Sequence, residues 1–218
     1  MLVSHLKKFI FIKTIKTAST SVEMYFQRWC LHDPTQFVDE VTDEIISTAG
    51  IIGYRGWNHR EHRWYNHITA SQLKELVGAE TWKNYYKFTT VRNPYERAVS
   101  LFYWLVAHNR ITCPSVDTKQ RFVWFLKRSN EFASDTVRYV IDNEYCHDGI
   151  IRYEHLHDDT EKICQRLGVE WNPQWLGKYK SDARPSYATI ESILNSESIE
   201  FINRSCEFEF KYFDYKFL

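Results

Sequence analysis

A lysine followed by small, mostly hydroxyl-bearing residues lies near the start of the chain. The run comprises Lys16, Thr17, Ala18, Ser19, Thr20 and Ser21. Between a strand and a helix, backbone N–H groups and the positive end of the helix dipole bind phosphate, and a lysine and several hydroxyls add further donors. The run therefore predicts a phosphate-binding loop. For the string alone, a polar helix start in which Ser19 or Thr20 caps the helix is the preferred interpretation.

A phosphate loop of the ATP-binding type requires glycines ahead of its lysine. Residues 8–15 contain none. The sequence therefore disfavours a kinase or NTPase of that type.

A second anion-binding pattern occurs at residues 91–100. Arg92 ends a predicted strand, and Ser100 follows about two helical turns later. A guanidinium can grip a phosphate with two parallel hydrogen bonds, to which a serine hydroxyl adds a third. Taken alone, Arg92 equally suits a structural role in which it satisfies backbone carbonyls.

The densest group of ionisable residues lies at positions 57–67. It contains His59, His62 and His67, and histidine is the natural proton acceptor near neutral pH. Spacings of three and five fit no common zinc pattern, and no cysteine is close, so no metal is predicted. Three arginines nearby could face an acidic acceptor or could equally be solvated: Arg55, Arg60 and Arg63.

Hydrophobic periodicity predicts the elements that position these residues. Strands are expected at 8–15, 85–91 and 149–153, and helices at 19–31, 34–47, 69–77, 121–127, 134–141, 158–167 and 190–203. A further helix follows Asn93 and Pro94, which suit the N-cap and the first turn. The tail at 207–217 fits either an edge strand or an aromatic plug. Strands that alternate with helices predict an α/β fold with a parallel sheet.

Length and composition favour a single domain over residues 1–218, with room for a helical annex. Lysine plus arginine and aspartate plus glutamate number 28 each, so no generally basic surface for nucleic acid is expected. The five cysteines are scattered without a CxxC pair, which indicates neither a disulfide framework nor a zinc site. With no signal peptide or membrane span predicted, the expected location is the cytoplasm.

Two motifs together resemble those of sulfotransferases. Residues 12–21 are similar to the loop that binds the 5′-phosphosulfate, and residues 88–100 to the motif that binds the 3′-phosphate. Residues 151–156 and 164–168 also resemble this family, particularly its carbohydrate-acting, Golgi-type branch and bacterial relatives. The resemblance implies a P-loop-like three-layer fold with a central parallel sheet, and 3′-phosphoadenosine 5′-phosphosulfate as the donor.

The resemblance also implies roles for individual residues. Lys16 would meet the oxygen that bridges phosphate and sulfate, while Arg92 and Ser100 would hold the 3′-phosphate. Residues 180–184 resemble the late loop that closes over the nucleotide, which adds Ser181 and Arg184 as candidates. The chain departs from the family pattern at three positions: Ala18 and Ser19 stand where glycine is common, and Ile15 where proline is common.

Residues 65–68 resemble the histidine segment of heparan sulfate 2-O-sulfotransferases, which implies that His67 is the catalytic base. The alternative is that His67 caps the helix expected near Thr69. His62 and Glu61 are further candidates for the base, because some sulfotransferases use a glutamate.

Three hypotheses follow from the sequence. The first is a sulfotransferase acting on a hydroxyl, expected to belong to a carbohydrate. The second is a nucleotide kinase with an unusual loop, and the third is a non-catalytic glycan- or nucleotide-binding protein on the same fold. All three expect a nucleotide or glycan partner and no nucleic acid.

Overall fold

The computed structural model describes residues 1–56, 61–112, 115, 117–128, 132–179 and 183–218. The chain divides into two compact units. One, here called the sheet unit, comprises Met1–Val91 and Val137–Tyr179. The other, the helical unit, comprises Arg92–Thr136 and Lys180–Leu218.

The sheet unit is built on a six-stranded mixed sheet. Its strands are β1 (Leu2–Ser4), β2 (Phe9–Ile12), β3 (Ile45–Ile46), β4 (Gly50–Ile52), β5 (Tyr86–Val91) and β8 (Gly149–Arg152), and they lie in the order β3-β4-β1-β2-β5-β8. A separate hairpin pairs β6 (Val140–Ile141) with β7 (Glu144–Tyr145). The predicted parallel sheet is confirmed for β2, β5 and β8. The other half is antiparallel. Short turns join β1 to β2 and β3 to β4, and strands joined by a short turn pair antiparallel.

Both faces of this sheet are covered. Along β2, Phe9 and Phe11 point into one apolar cluster, and Ile10 and Ile12 point into another. The first cluster includes side chains of helices α1 (Ser19–Phe26) and α6 (Leu156–Leu167), and the second those of α2 (Ala70–Val77) and α3 (Ala79–Asn84). A strand buried on both faces is apolar throughout, as β2 is. The predicted three-layer arrangement is confirmed within this unit.

The helical unit contains α4 (Pro94–Ala107), α5 (Thr118–Arg128), α7 (Ile190–Ile193), α8 (Ser196–Ser205) and α9 (Glu207–Tyr212). Asn93 caps α4 and Pro94 begins it, as predicted. Aromatic rings form much of its core. Phe102 packs edge-on against Phe122, and the ring of Tyr95 is tilted against that of Phe210. No helix in the described ranges is long and apolar enough to cross a membrane.

Four predicted elements are corrected. The helix expected at 34–47 is absent, because the Asp33 carboxylate accepts hydrogen bonds from the N–H and hydroxyl of Thr35 and forms a turn instead. The helix expected at 134–141 is a single 3-10 turn, Thr136–Arg138, followed by β6. The helix expected at 190–203 is interrupted, because Asn195 caps a new helix. Of the two alternatives for the tail, the edge strand is wrong, because the tail forms α9 with Phe210 and Phe213 buried.

Candidate active site

The loop at Lys16 lies between β2 and α1, at the carboxyl end of a parallel strand. The strand, loop and helix predicted there are confirmed. Lys16 and Ala18 adopt left-handed backbone conformations, with φ angles of 59° and 61°. Turns that contain such residues bring successive backbone N–H groups into one concavity that accepts an anion.

The N-terminus of α1 is buried and has no side-chain cap. Ala18 occupies the N-cap position and has no side-chain oxygen, while Ser19, Thr20 and Ser21 are at most 8% exposed. The Ser19 hydroxyl does not cap the helix, because it donates to the Thr14 carbonyl at 2.6 Å. The helix-cap interpretation of this string is therefore wrong. A buried helix N-terminus requires partners for its first N–H groups, and an anion would supply them.

Hydroxyl groups beneath the loop tie it to the sheet. The Thr17 hydroxyl lies 2.7 Å from those of Thr14 and Thr90, and the Thr14 hydroxyl donates to the Thr90 carbonyl at 2.6 Å. The hydroxyls of Thr17 and Ser19 therefore bond within the protein and hold the loop in place. The Ser21 hydroxyl accepts from the N–H of Tyr179 at 3.4 Å.

A buried ion cluster lies next to the loop, and the sequence did not indicate it. The Glu23 carboxylate on α1 contacts Lys13 Nζ at 2.6 Å, Arg55 Nε at 3.2 Å and the Met1 ammonium at 2.7 Å. Burial alone would raise the pKa of Glu23, but the charges of Arg55 and Lys13 outweigh it and hold that pKa far below its ordinary value. Arg55 is therefore buried in this ion cluster and does not face an acceptor.

His67 is held in one orientation beside the residues that lead into the loop. Its Nδ1–H donates to the Lys13 carbonyl at 3.1 Å, and the Arg138 guanidinium donates to the His67 carbonyl at 3.1 Å. With Nδ1 as the donor, Nε2 carries the lone pair that can accept a proton. Burial lowers the pKa of His67 well below its ordinary value, and the charges of Lys13 and Arg138 lower it further.

The structure also shows which residue caps α2 and where the other described residues of the group at 57–67 lie. Thr69, not His67, caps α2, in a capping box with Gln72. His62 stacks flat on Tyr54, with ring centroids 3.7 Å apart, and Glu61 is exposed.

His59 and Arg60 lie outside the described residues, while Arg63 is exposed against the ring of Trp64. The described ranges hold no group of three or more residues that could ligate a metal.

The second anion-binding pattern lies in the helical unit. Arg92 is buried at the start of this unit, and its guanidinium contacts the Glu96 carboxylate at 3.0 Å. Arg184 also pairs with Glu96 and donates through Nε to the Ala188 carbonyl at 2.7 Å. Ser100 is half-buried on α4, and Ser181 lies outside the described residues. The sequence did not predict that Glu96 pairs with Arg184, because nothing near Glu96 in the sequence indicates a distant arginine.

Ala18 supports a prediction about stability. Because its φ of 61° costs a residue with a Cβ but not a glycine, Ala18→Gly is expected to raise the free energy of unfolding by up to about 1 kcal/mol. Ala79→Gly, at an exposed helical position in the same unit, should instead lower it by up to about 1 kcal/mol. Urea unfolding of both variants checks the difference, and equal losses would contradict the strained conformation at Ala18.

The loop at the carboxyl end of β2, with the buried and uncapped N-terminus of α1 behind it, has the geometry of an anion-binding site in an α/β protein. A model of the sulfotransferase family matches residues 1–216, so the chain belongs to the sulfotransferase family. Membership makes it a transferase of sulfuryl groups. No match was found among curated proteins or solved structures.

Proposed function

We propose that the protein transfers a sulfuryl group from 3′-phosphoadenosine 5′-phosphosulfate to a hydroxyl of a carbohydrate. The observation that carries this proposal is the buried N-terminus of α1, which has no side-chain cap and begins at Ser19, shortly after Lys16. The dipole of α1 and the loop N–H groups would hold the 5′-phosphosulfate. Thr17, Ala18, Ser19, Thr20 and Ser21 contribute to this cradle mainly through their backbone.

The reaction breaks the S–O bond to the bridging oxygen and forms an S–O bond to the acceptor oxygen. Negative charge develops on the departing phosphate oxygen, and the Lys16 ammonium would stabilise it there. The acceptor hydroxyl loses its proton as the new bond forms, and Nε2 of His67 would take it. The products are the sulfated acceptor and adenosine 3′,5′-bisphosphate.

The arrangement around His67 supports its role as the base. Its Nδ1 is committed to the Lys13 carbonyl, three residues before Lys16, so the other nitrogen is the proton acceptor. The lowered pKa keeps this nitrogen unprotonated at neutral pH. His62 and Glu61 are weaker candidates, since His62 packs against Tyr54 and Glu61 has an ordinary exposed position.

The 3′-phosphate is assigned to Arg92 and Ser100 from their match to the family motif. A buried guanidinium held at the start of α4 suits this role, because it is oriented before the ligand arrives. Arg184 is assigned to the same phosphate, and Ser181 remains a candidate on motif position alone. The carbohydrate acceptor rests on the resemblance of the later motifs, with exposed Arg63 as a contact for an acidic sugar.

A comparison of ligands by calorimetry tests the proposal. Adenosine 3′,5′-bisphosphate should bind the wild-type protein at least about tenfold more tightly than ATP with magnesium, because only the former carries a phosphate for Arg92 and Ser100. Tighter binding of ATP would favour the nucleotide kinase. Glycan binding without transfer of label from a radiolabelled donor would favour the non-catalytic protein.

A further inference from the structure

Glu96 lies in the first turn of α4, where its backbone is fixed. Asn93 caps the helix through its side-chain oxygen, which accepts from the N–H of Tyr95 at 3.0 Å and from that of Glu96 at 3.4 Å. The Glu96 side chain is 29% exposed, so solvent screens it only in part. A carboxylate in the first turn is also stabilised by the positive end of the helix dipole.

Two arginines share this carboxylate. Arg92 Nη2 donates to Oε2 of Glu96 at 3.0 Å, and Arg184 Nη1 contacts the same oxygen. Arg184 Nη2 reaches Oε1 at 3.4 Å, and its Nε donates to the Ala188 carbonyl at 2.7 Å. One oxygen atom therefore brings two guanidinium groups together from distant parts of the sequence.

Two guanidinium groups this close repel each other, and an intervening carboxylate offsets that repulsion. A phosphate has three terminal oxygens and can accept hydrogen bonds from both groups at once. We propose that Glu96 is a positioning residue that holds Arg92 and Arg184 as a pair for the 3′-phosphate. This inference rests on the proposed function, since it concerns the same donor nucleotide.

The effect of Glu96→Gln on binding of the 3′-phosphate has opposite signs under the two possible roles of Glu96. A carboxylate beside a phosphate dianion repels it, so electrostatics alone predicts that Glu96→Gln tightens binding of the 3′-phosphate. Positioning predicts the reverse, because a neutral amide no longer holds both arginines. Both effects are specific to ligands that carry the 3′-phosphate.

The experiment measures the affinities of two ligands by calorimetry. The quantity compared between variants is the affinity for adenosine 3′,5′-bisphosphate divided by the affinity for adenosine 5′-phosphate. We expect Glu96→Gln to lower this ratio about tenfold, the size of one lost charge-assisted contact, while adenosine 5′-phosphate binds as to the wild type. Glu207→Gln is the matched control, since Glu207 forms an exposed ion pair with Lys211 on α9. It should leave the ratio unchanged.

A second variant keeps the test independent of how well Glu96→Gln folds. Arg184→Lys retains the charge but loses the fork that reaches both carboxylate oxygens, and it should also lower the ratio. In the Glu96→Gln background the same change should alter the ratio less than about twofold, because Arg184 is no longer held there. A ratio that rises in Glu96→Gln, or additive effects of the two changes, would overturn the role of Glu96. A wild-type protein without preference for the bisphosphate would instead overturn the proposed 3′-phosphate site.

Discussion

Replacing Lys16 with alanine is expected to lower kcat for sulfuryl transfer about 10³-fold, the upper end of what one group that stabilises developing charge contributes. The ammonium of Lys16 would neutralise the phosphate oxygen as the S–O bond breaks. Alanine carries the same Cβ as lysine, so the left-handed backbone at this position is strained equally in both proteins. Transfer of radiolabelled sulfate to a verified acceptor measures the loss.

The matched control for this change is Lys7→Ala. Lys7 is an exposed lysine in the turn between β1 and β2 of the same unit, and its removal should leave kcat unchanged. Because α1 and the loop N–H groups remain, Lys16→Ala should still bind adenosine 3′,5′-bisphosphate, with weaker affinity. Normal turnover of Lys16→Ala would remove this lysine from the reaction.

Replacing His67 with asparagine should lower kcat by about 10² to 10⁴, the range for loss of a general base. Asparagine tolerates a left-handed backbone, as required by the φ of 61° at this position, but its amide accepts no proton. The affinity for adenosine 3′,5′-bisphosphate should be unaffected. Single-turnover kinetics separate these two effects.

The pH dependence of the wild-type rate provides a further readout for His67. A base acts in its unprotonated form, and the pKa of His67 is lowered by burial and by the charges of Lys13 and Arg138. The rate should therefore stay level from neutral pH down through about 6.5, where an ordinary histidine protonates, and fall only in more acidic solution. A fall centred at an ordinary histidine pKa, or loss of activity in His62→Gln with His67→Asn active, would assign the base elsewhere.

The elements around the candidate site were predictable where the signals are local. Asn93 and Pro94 cap and begin α4 through their own backbone preferences, and the apolar run at β2 indicates a strand without reference to other segments. The same holds for the loop, whose position between β2 and α1 follows from the two patterns that flank it.

The partners of the site residues were not predictable, since they come from distant positions. Glu23 is surrounded by charges from three separate segments, and Glu96 meets Arg184 across 88 positions of sequence. The hydroxyl of Thr17 was expected to donate to a ligand, but it bonds with the hydroxyls of Thr14 and Thr90. Thr90 reaches it only because β2 pairs with β5. The helix expected at 34–47 does not form, because the hydrogen bonds of the Asp33 side chain favour a turn. The hydrophobic periodicity of residues 34–47 gives no indication of these bonds.

We propose that the loop at Lys16 binds the 5′ end of the donor. A crystal structure with adenosine 3′,5′-bisphosphate tests it most directly. We expect the 5′-phosphate to lie within about 3 Å of Lys16 Nζ and of the backbone nitrogens of Thr20 and Ser21. A 5′-phosphate bound away from the N-terminus of α1, with this loop unchanged and solvent-facing, would contradict it.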